Sequence, residues 1–131
     1  ITHYPSVSEA NKTINFNIDS SAVNIAFYYN SAPTINDIIV QTNNRTPYTF
    51  TTQDFLANIA DYDNDQIAEI SLIGDLTGYT LDNNAVVSNS WISMADIALG
   101  KLVYTPLNQD AYYEKDIQYK AKDINGNISI N

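Results

Sequence analysis

The chain has 131 residues, enough for one ordinary domain, and 44% of them are hydrophobic, which argues against wholesale disorder. Its net charge of −9 argues against nucleic acid and anionic lipid as partners, because both require a basic surface. The absence of cysteine excludes disulfides, thiolate metal sites and cysteine nucleophiles, and a single histidine, His3, leaves Ser-His-acid arrangements poorly supplied. No apolar run is long enough to span a bilayer, so we expect no membrane insertion.

The first part of the chain is separated from the rest by a proline-containing linker. Hydrophobic and polar residues alternate over 14–18 and again over 23–29, which predicts two strands in one hairpin or in different sheets. Pro33 then breaks the pattern, because it lacks a backbone donor and restrains Ala32 to extended geometry. We therefore expect 30–131 to form the main module, with 1–29 as the end of a preceding module or an added N-terminal hairpin.

The segment after this linker leads into one further strand and one helical turn. Over 35–41 we expect Ile38 and Val40 to face one way, and Tyr48 opens a strand that includes Phe50. Asp54 stands where a carboxylate can cap a short helical turn.

An acidic loop, Asp61-Tyr62-Asp63-Asn64-Asp65, follows that turn and separates two apolar segments. Three aspartates at alternate positions repel one another unless they are well solvated or neutralised by a cation. Ca²⁺ is the natural neutraliser, because it takes six to eight oxygen ligands and favours carboxylates. The loop is not an EF-hand, since that motif needs Gly at its sixth position and Glu at its twelfth, where this chain has Gln66 and Leu72.

The remainder of the chain consists of short strands separated by turn signals. A strand is predicted over 67–73, with Ala68, Ile70 and Leu72 on one face and Glu69 and Ser71 on the other. Further short strands are predicted over 79–81, 85–88, 101–105 and 117–122. A helical turn is expected over 93–97, ending at Gly100, with Asp96 placed to cap it. Asn125-Gly126 is a two-residue hairpin signal, and Ile128 and Ile130 begin the return strand.

These elements predict an all-β protein. Short strands, turns every eight to twelve residues and no long helical period favour an antiparallel β-sandwich of about seven strands with one or two short helical turns. Only four glycines are available, so we expect Asn and Asp to form many of the turns.

Several phrases stand in a fixed order along residues 30–131. They are Asn-Ser-Ala-Pro at 30–33, an aromatic strand leading to Asp-Phe at 48–55, the acidic loop, Ile-Ser-Met-Ala-Asp-Ile-Ala-Leu-Gly-Lys-Leu-Val-Tyr-Thr-Pro at 92–106, and Lys-Asp-Ile-Asn-Gly-Asn-Ile-Ser at 122–129. In this order they resemble the cadherin-like, Ig-type β-sandwich repeats of large bacterial surface adhesins, related to the chondroitin-sulfate-proteoglycan-type repeat. Two departures are Asn64 in place of the usual Gly of the acidic loop and Ser31 in place of the usual linker Asp.

The resemblance implies extracellular, repetitive architecture that is rigidified by Ca²⁺ and has no catalytic activity. The ligand candidates it implies are Asp61, Asp63 and Asp65, with Asp123 at the far end of the module. The expected function is a non-catalytic structural or adhesive tandem-repeat module of a secreted bacterial cell-surface protein. Its expected partners are neighbouring repeat modules of the same chain, with a host or surface glycan or protein as a further candidate.

Two other functions remain open from the sequence. Ten tyrosines and Trp91 are potential stacking platforms for a glycan-binding module, and an Ig-like decoration domain of a phage or virion protein has the same predicted architecture. A glycosidase with paired carboxylates is disfavoured, because a catalytic pair needs a defined geometry and this acidic cluster lies in a turn.

Overall fold

The computed structural model describes residues 30–43, 45–107 and 114–129. By compactness the chain divides into two units, Ile1–Ser31 and Ala32–Asn131, and nearly all the described residues belong to the second unit. The strands predicted over 14–18 and 23–29, and with them the assignment of residues 1–29, lie outside the described residues.

The described part of the chain contains nine short strands and two helices of five residues each. The strands are β1 (Thr34–Ile35), β2 (Tyr48–Thr49), β3 (Ile59–Ala60), β4 (Ile67–Ile73), β5 (Tyr79–Leu81), β6 (Asn84–Ala85), β7 (Trp91–Ser93), β8 (Leu102–Tyr104) and β9 (Gln118–Asp123). The helices are α1 (Thr52–Leu56) and α2 (Met94–Ala98). Within this part of the chain, no helix is long and apolar enough to cross a membrane.

The strands pair antiparallel in three sheets. One sheet has the strand order β2-β8-β5-β6, a second has the order β7-β4-β9, and β1 pairs with β3. The predicted all-β, sandwich-like fold is therefore confirmed. The described residues contain nine strands where about seven were expected, and four of the nine (β1, β2, β3 and β6) have only two residues each.

The hydrophobic core draws on the four-stranded and the three-stranded sheets and on both helices. In β4, Ile70 is fully buried and lies between its partners Ile92 and Ala121 on the neighbouring strands. Leu102 on β8 and Ile97 on α2 complete the buried aliphatic centre. Ile38 and Val40 both pack against this core, in agreement with the prediction that they face the same way.

A β-bulge in β4 changes which residues face the core. Ile67 pairs with Asp123 and Glu69 pairs with Lys122, so two steps along β4 match one step along β9. The bulge brings Ile67 inward to 7% exposure and leaves Ala68 only half-buried. The prediction that Ala68 shares one face with Ile70 and Leu72 is therefore wrong, because strict alternation assumes an uninterrupted ladder.

The N-cap residue of each helix lies three positions before the aspartate that was predicted to cap it. Thr51 is the N-cap of α1, and Asp54 is the third helical residue, which returns a hydrogen bond to the Thr51 N–H at 2.9 Å in a capping box. Ser93 is the N-cap of α2, where its hydroxyl accepts from the Asp96 N–H at 3.0 Å. Both carboxylates therefore lie in the first helical turn, but the cap itself is a hydroxyl residue in each helix.

The turn after β9 has three residues in the loop instead of the expected two. The Gly126 N–H donates to the Asp123 carbonyl at 3.1 Å, and the Asp123 N–H donates to the Asn127 carbonyl at 3.0 Å. Gly126 has a φ of +90°, so it supplies the left-handed residue that closes a three-residue hairpin. The predicted return strand consists of one bridge, Lys122 to Ile128, within the described residues, and Ile130 lies outside them.

Candidate metal centre

The acidic loop connects β3 to β4 and is shaped by its first aspartate. The Asn64 N–H donates to the Asp61 carbonyl at 3.0 Å, and Asn64 takes a φ of +59°, a conformation that Asn tolerates better than most residues. Asn64 therefore fills the turn position that glycine usually occupies in the resembled family.

Only one of the two oxygens of the Asp61 carboxylate accepts hydrogen bonds from the described residues. Its Oδ1 accepts from the N–H groups of Asp63 at 2.9 Å and Asp65 at 3.2 Å. Its Oδ2 is buried and has no hydrogen-bond partner among the described residues. A buried carboxylate oxygen without a donor is costly.

The three loop aspartates converge. One ligand atom from each of Asp61, Asp63 and Asp65 lies within 4.8 Å of the other two. Two oxygens on one Ca²⁺ are at most about 5 Å apart, since each Ca–O bond is about 2.5 Å, whereas two oxygens on Mg²⁺ are at most about 4.2 Å apart. Separations within this limit are compatible with Ca²⁺, which accepts six to eight oxygens in irregular geometry, whereas Mg²⁺ demands a near-octahedral set of ligands.

The fourth candidate ligand, Asp123, lies outside this group of three carboxylates. Its side chain is 1% exposed, and its Oδ1 accepts from the N–H groups of Asn125 and Asn127, each at 2.9 Å. Its Oδ2 accepts from the Asn127 side-chain amide at 3.2 Å. The hydrogen bonds of its carboxylate therefore stabilise the turn after β9.

The same turn is tied to the acidic loop by a residue that the sequence analysis did not place in the site. The Asn125 side-chain amide donates to Asp65 Oδ2 at 2.9 Å, across 60 positions of sequence. The Ile124 N–H donates to the Gln66 carbonyl at 2.9 Å and aligns the two turns. The Asn-Gly signal identifies the turn, but only the β4–β9 pairing reveals its contact with Asp65.

A cavity of about 660 Å³ lies beside the loop. Asp61 and Asp65 line it, together with the apolar side chains of Leu56, Ile59 and Met94. The described residues that line it include no lysine or arginine. With three converging carboxylates and an orphaned oxygen, the residues present fit a hard cation.

Trp91 contacts two lysines on the outer side of the three-stranded sheet. The Nζ atoms of Lys122 and Lys120 lie 4.0 Å and 5.7 Å from the centre of the indole ring. Lys122 also lies 3.4 Å from Glu69 Oε1. These contacts are cation–π interactions that already use a face of the ring, so Trp91 is a poorer stacking platform than the sequence suggests.

The chain matches no family model, no curated protein and no solved structure. The resemblance to cadherin-like repeats therefore stays a prediction.

Proposed function

We propose that the chain is a non-catalytic structural or adhesive module of a bacterial cell-surface protein, located outside the cell and stiffened by Ca²⁺ at the acidic loop. The partners we propose are neighbouring modules of the same chain. The observation that carries the calcium proposal is the convergence of three carboxylates, one of which, that of Asp61, has a buried Oδ2 with no hydrogen-bond partner among the described residues. Asp61, Asp63 and Asp65 would hold the ion, with the remaining oxygen ligands supplied by water or main chain.

Calcium stiffens such a loop by removing charge repulsion. Without a cation the three carboxylates repel one another, and the Asp61 Oδ2 atom has no donor. With a cation the loop between β3 and β4 is cross-linked, and through Asn125 the turn after β9 is held to it. An ion that binds only the folded chain stabilises it by about 2.7 kcal/mol at a hundredfold excess over Kd.

The test is thermal unfolding in EDTA against a Ca²⁺ titration, with Mg²⁺ as the comparison ion. We expect a saturable rise in Tm, about 10 °C at a hundredfold excess over Kd, and a smaller rise with Mg²⁺. Asp63→Ala should abolish the Ca²⁺-dependent shift. The matched control is Asp116→Asn, which removes a negative charge at an exposed position outside the loop.

A second readout reports binding independently of stability. Tyr62 lies between two candidate ligands and is 88% exposed, so its ring can sensitise the luminescence of Tb³⁺, which takes the same hard oxygen ligands. We expect Tb³⁺ emission from the wild-type chain, and we expect it to fall when Ca²⁺ displaces the bound Tb³⁺. Tyr62→Phe should also reduce the emission, although Tb³⁺ still binds. If neither Ca²⁺ nor Tb³⁺ binds the wild-type chain, the calcium proposal is wrong.

The alternative is a glycan-binding module, for which a second cavity is the relevant feature. This cavity has a volume of about 910 Å³ and is rich in aromatic residues, including Tyr48, Tyr104 and Tyr119. Two of these phenols are already engaged, Tyr48 with the Asp54 carboxylate and Tyr119 with the Asn36 carbonyl. A glycan array probed with the folded, Ca²⁺-loaded chain distinguishes the two functions, since a structural module should give no specific hit.

A further inference from the structure

The turn after β9 contains a chemically reactive dipeptide. Asn125-Gly126 is the only Asn-Gly pair in the sequence. In such a pair the glycine nitrogen can attack the asparagine side chain with little hindrance, because glycine has no Cβ. Asn125 and Gly126 are both exposed, and no described heavy atom beyond Gly126 and its two chain neighbours lies within 4 Å of the place where a Gly126 Cβ would be.

We propose that Asn125 is a site of spontaneous deamidation, and that its hydrogen bond to Asp65 controls the rate. The Gly126 nitrogen forms a bond to Asn125 Cγ and loses its proton, while the Cγ–Nδ2 bond breaks and ammonia leaves. Water then opens the resulting succinimide at either carbonyl, which yields aspartate or isoaspartate. The net reaction consumes one water and releases ammonia, with no oxidation or reduction.

The fold restrains both reacting groups. The attacking Gly126 N–H is held by the Asp123 carbonyl at 3.1 Å, and the leaving amide is held by Asp65 Oδ2 at 2.9 Å. Cyclisation must break both hydrogen bonds, so the reaction proceeds when this turn opens locally. Asp65 is accordingly a protecting residue for Asn125, although the two are far apart in sequence.

The product changes the charge of the acidic loop. Deamidation replaces the amide that donates to Asp65 with a carboxylate, so a donor–acceptor contact becomes a contact between like charges. Isoaspartate also lengthens the main chain of the turn. The new carboxylate adds a potential oxygen ligand beside Asp65, a consequence that rests on the proposed calcium function.

The rate experiment ages the intact chain at neutral pH and physiological temperature, with peptide mapping by mass spectrometry that separates aspartate from isoaspartate. We expect conversion at Asn125 ahead of every other asparagine, fastest in urea-unfolded chain, and severalfold faster in Asp65→Ala than in wild type. Asp116→Asn is the control and should age like wild type. No conversion at Asn125 in the folded chain, or an equal rate in Asp65→Ala, overturns the proposal.

The product is tested separately with Asn125→Asp, which remains informative if Asp65→Ala does not fold. In EDTA at neutral pH we expect this variant to melt below wild type, because the introduced carboxylate lies beside that of Asp65. An equal Tm at neutral pH would contradict the predicted repulsion. Absence of Ca²⁺ binding in wild type would refute only the calcium proposal, since the ageing and EDTA measurements do not depend on Ca²⁺.

Discussion

At the scale of single residues, asparagine and aspartate take backbone conformations that glycine usually takes. Asn64, Asp82, Asn83 and Asn89 all have positive φ between 50° and 68°. Asn and Asp tolerate this region because their short polar side chains can form local hydrogen bonds. An example of such a bond in another turn is the one from the Arg45 N–H to Asn43 Oδ1 at 2.9 Å. The expectation that Asn and Asp form many turns in a chain with four glycines is borne out at these positions.

The ion pair between Asp96 and Lys101 makes stability depend on pH. Lys101 Nζ lies 2.9 Å from Asp96 Oδ1, and this hydrogen bond lowers the pKa of Asp96 below 3.8 and raises the pKa of Lys101 above 10.5. The contribution is therefore fully present between about pH 5 and pH 9, where both groups are charged in the unfolded chain. It is lost as the pH falls through the lowered pKa of Asp96 or rises through the raised pKa of Lys101.

In Asp96→Asn, the losses of stability at acid and at alkaline pH should both be smaller than in wild type. The measurement is the urea midpoint of unfolding, followed from acid to alkaline pH. The effect is small because the pair is accessible to solvent. Asp116→Asn is the control and should keep the wild-type profile above pH 9. If the urea midpoints of wild type and Asp96→Asn fall by the same amount above pH 9, the pair contributes nothing to stability.

At the scale of elements, close approach of main chains determines where a side chain is allowed. Gly78 has a φ of +95°, and its carbonyl accepts from the Thr105 N–H at 2.9 Å. A Cβ at Gly78 would lie 2.8 Å from the Thr105 carbonyl oxygen and 3.1 Å from Tyr104 Cε1. The turn before β5 therefore requires glycine for two reasons, the backbone angle and the space.

Gly78→Ala should destabilise the fold more than Gly74→Ala. Gly74 has a φ of +121° but open space around the added Cβ, so it reports backbone strain alone, about 1–3 kcal/mol. Gly78→Ala adds a steric conflict with main chain, for which we expect about 1–3 kcal/mol more. Urea unfolding of both variants measures the difference, and equal losses would mean that the β5–β8 contact relaxes at no cost.

At the scale of the whole described unit, stability rests on burial between two sheets and two helices. Ile70 is fully buried between Ile92 and Ala121, with Leu102 and Ile97 in the same core cluster. Ile39, by contrast, is 85% exposed although its neighbours Ile38 and Val40 pack on the core. The same residue type therefore has opposite roles at the two positions.

Ile70→Ala should cost about 2–5 kcal/mol of unfolding free energy, because it removes buried methyl groups and leaves a cavity. Ile39→Ala removes the same atoms from an exposed position and should change stability by no more than about 0.5 kcal/mol. Chemical denaturation of the two variants provides the comparison. Similar losses at both positions would contradict the assignment of the core.

The sequence by itself determined the fold class, the bounds of β4, the two helical turns and the acidic loop. Each depends on local chemistry: alternation of apolar residues, carboxylate groups near helix starts, and repulsion between nearby aspartates. The candidate ligands Asp61, Asp63 and Asp65 were identifiable for the same reason, since a short loop keeps them together.

Only the tertiary structure decided the features that depend on how distant segments pair. The bulge opposite Lys122 moved Ile67 into the core in place of Ala68, and no local pattern encodes an extra residue in one strand. Pairing of β4 with β9 brought Asn125 to Asp65, while the turn after β9 engaged the Asp123 carboxylate. The register of a ladder is set by the whole sheet, so contacts across 60 residues follow from the packed fold and not from spacing along the chain.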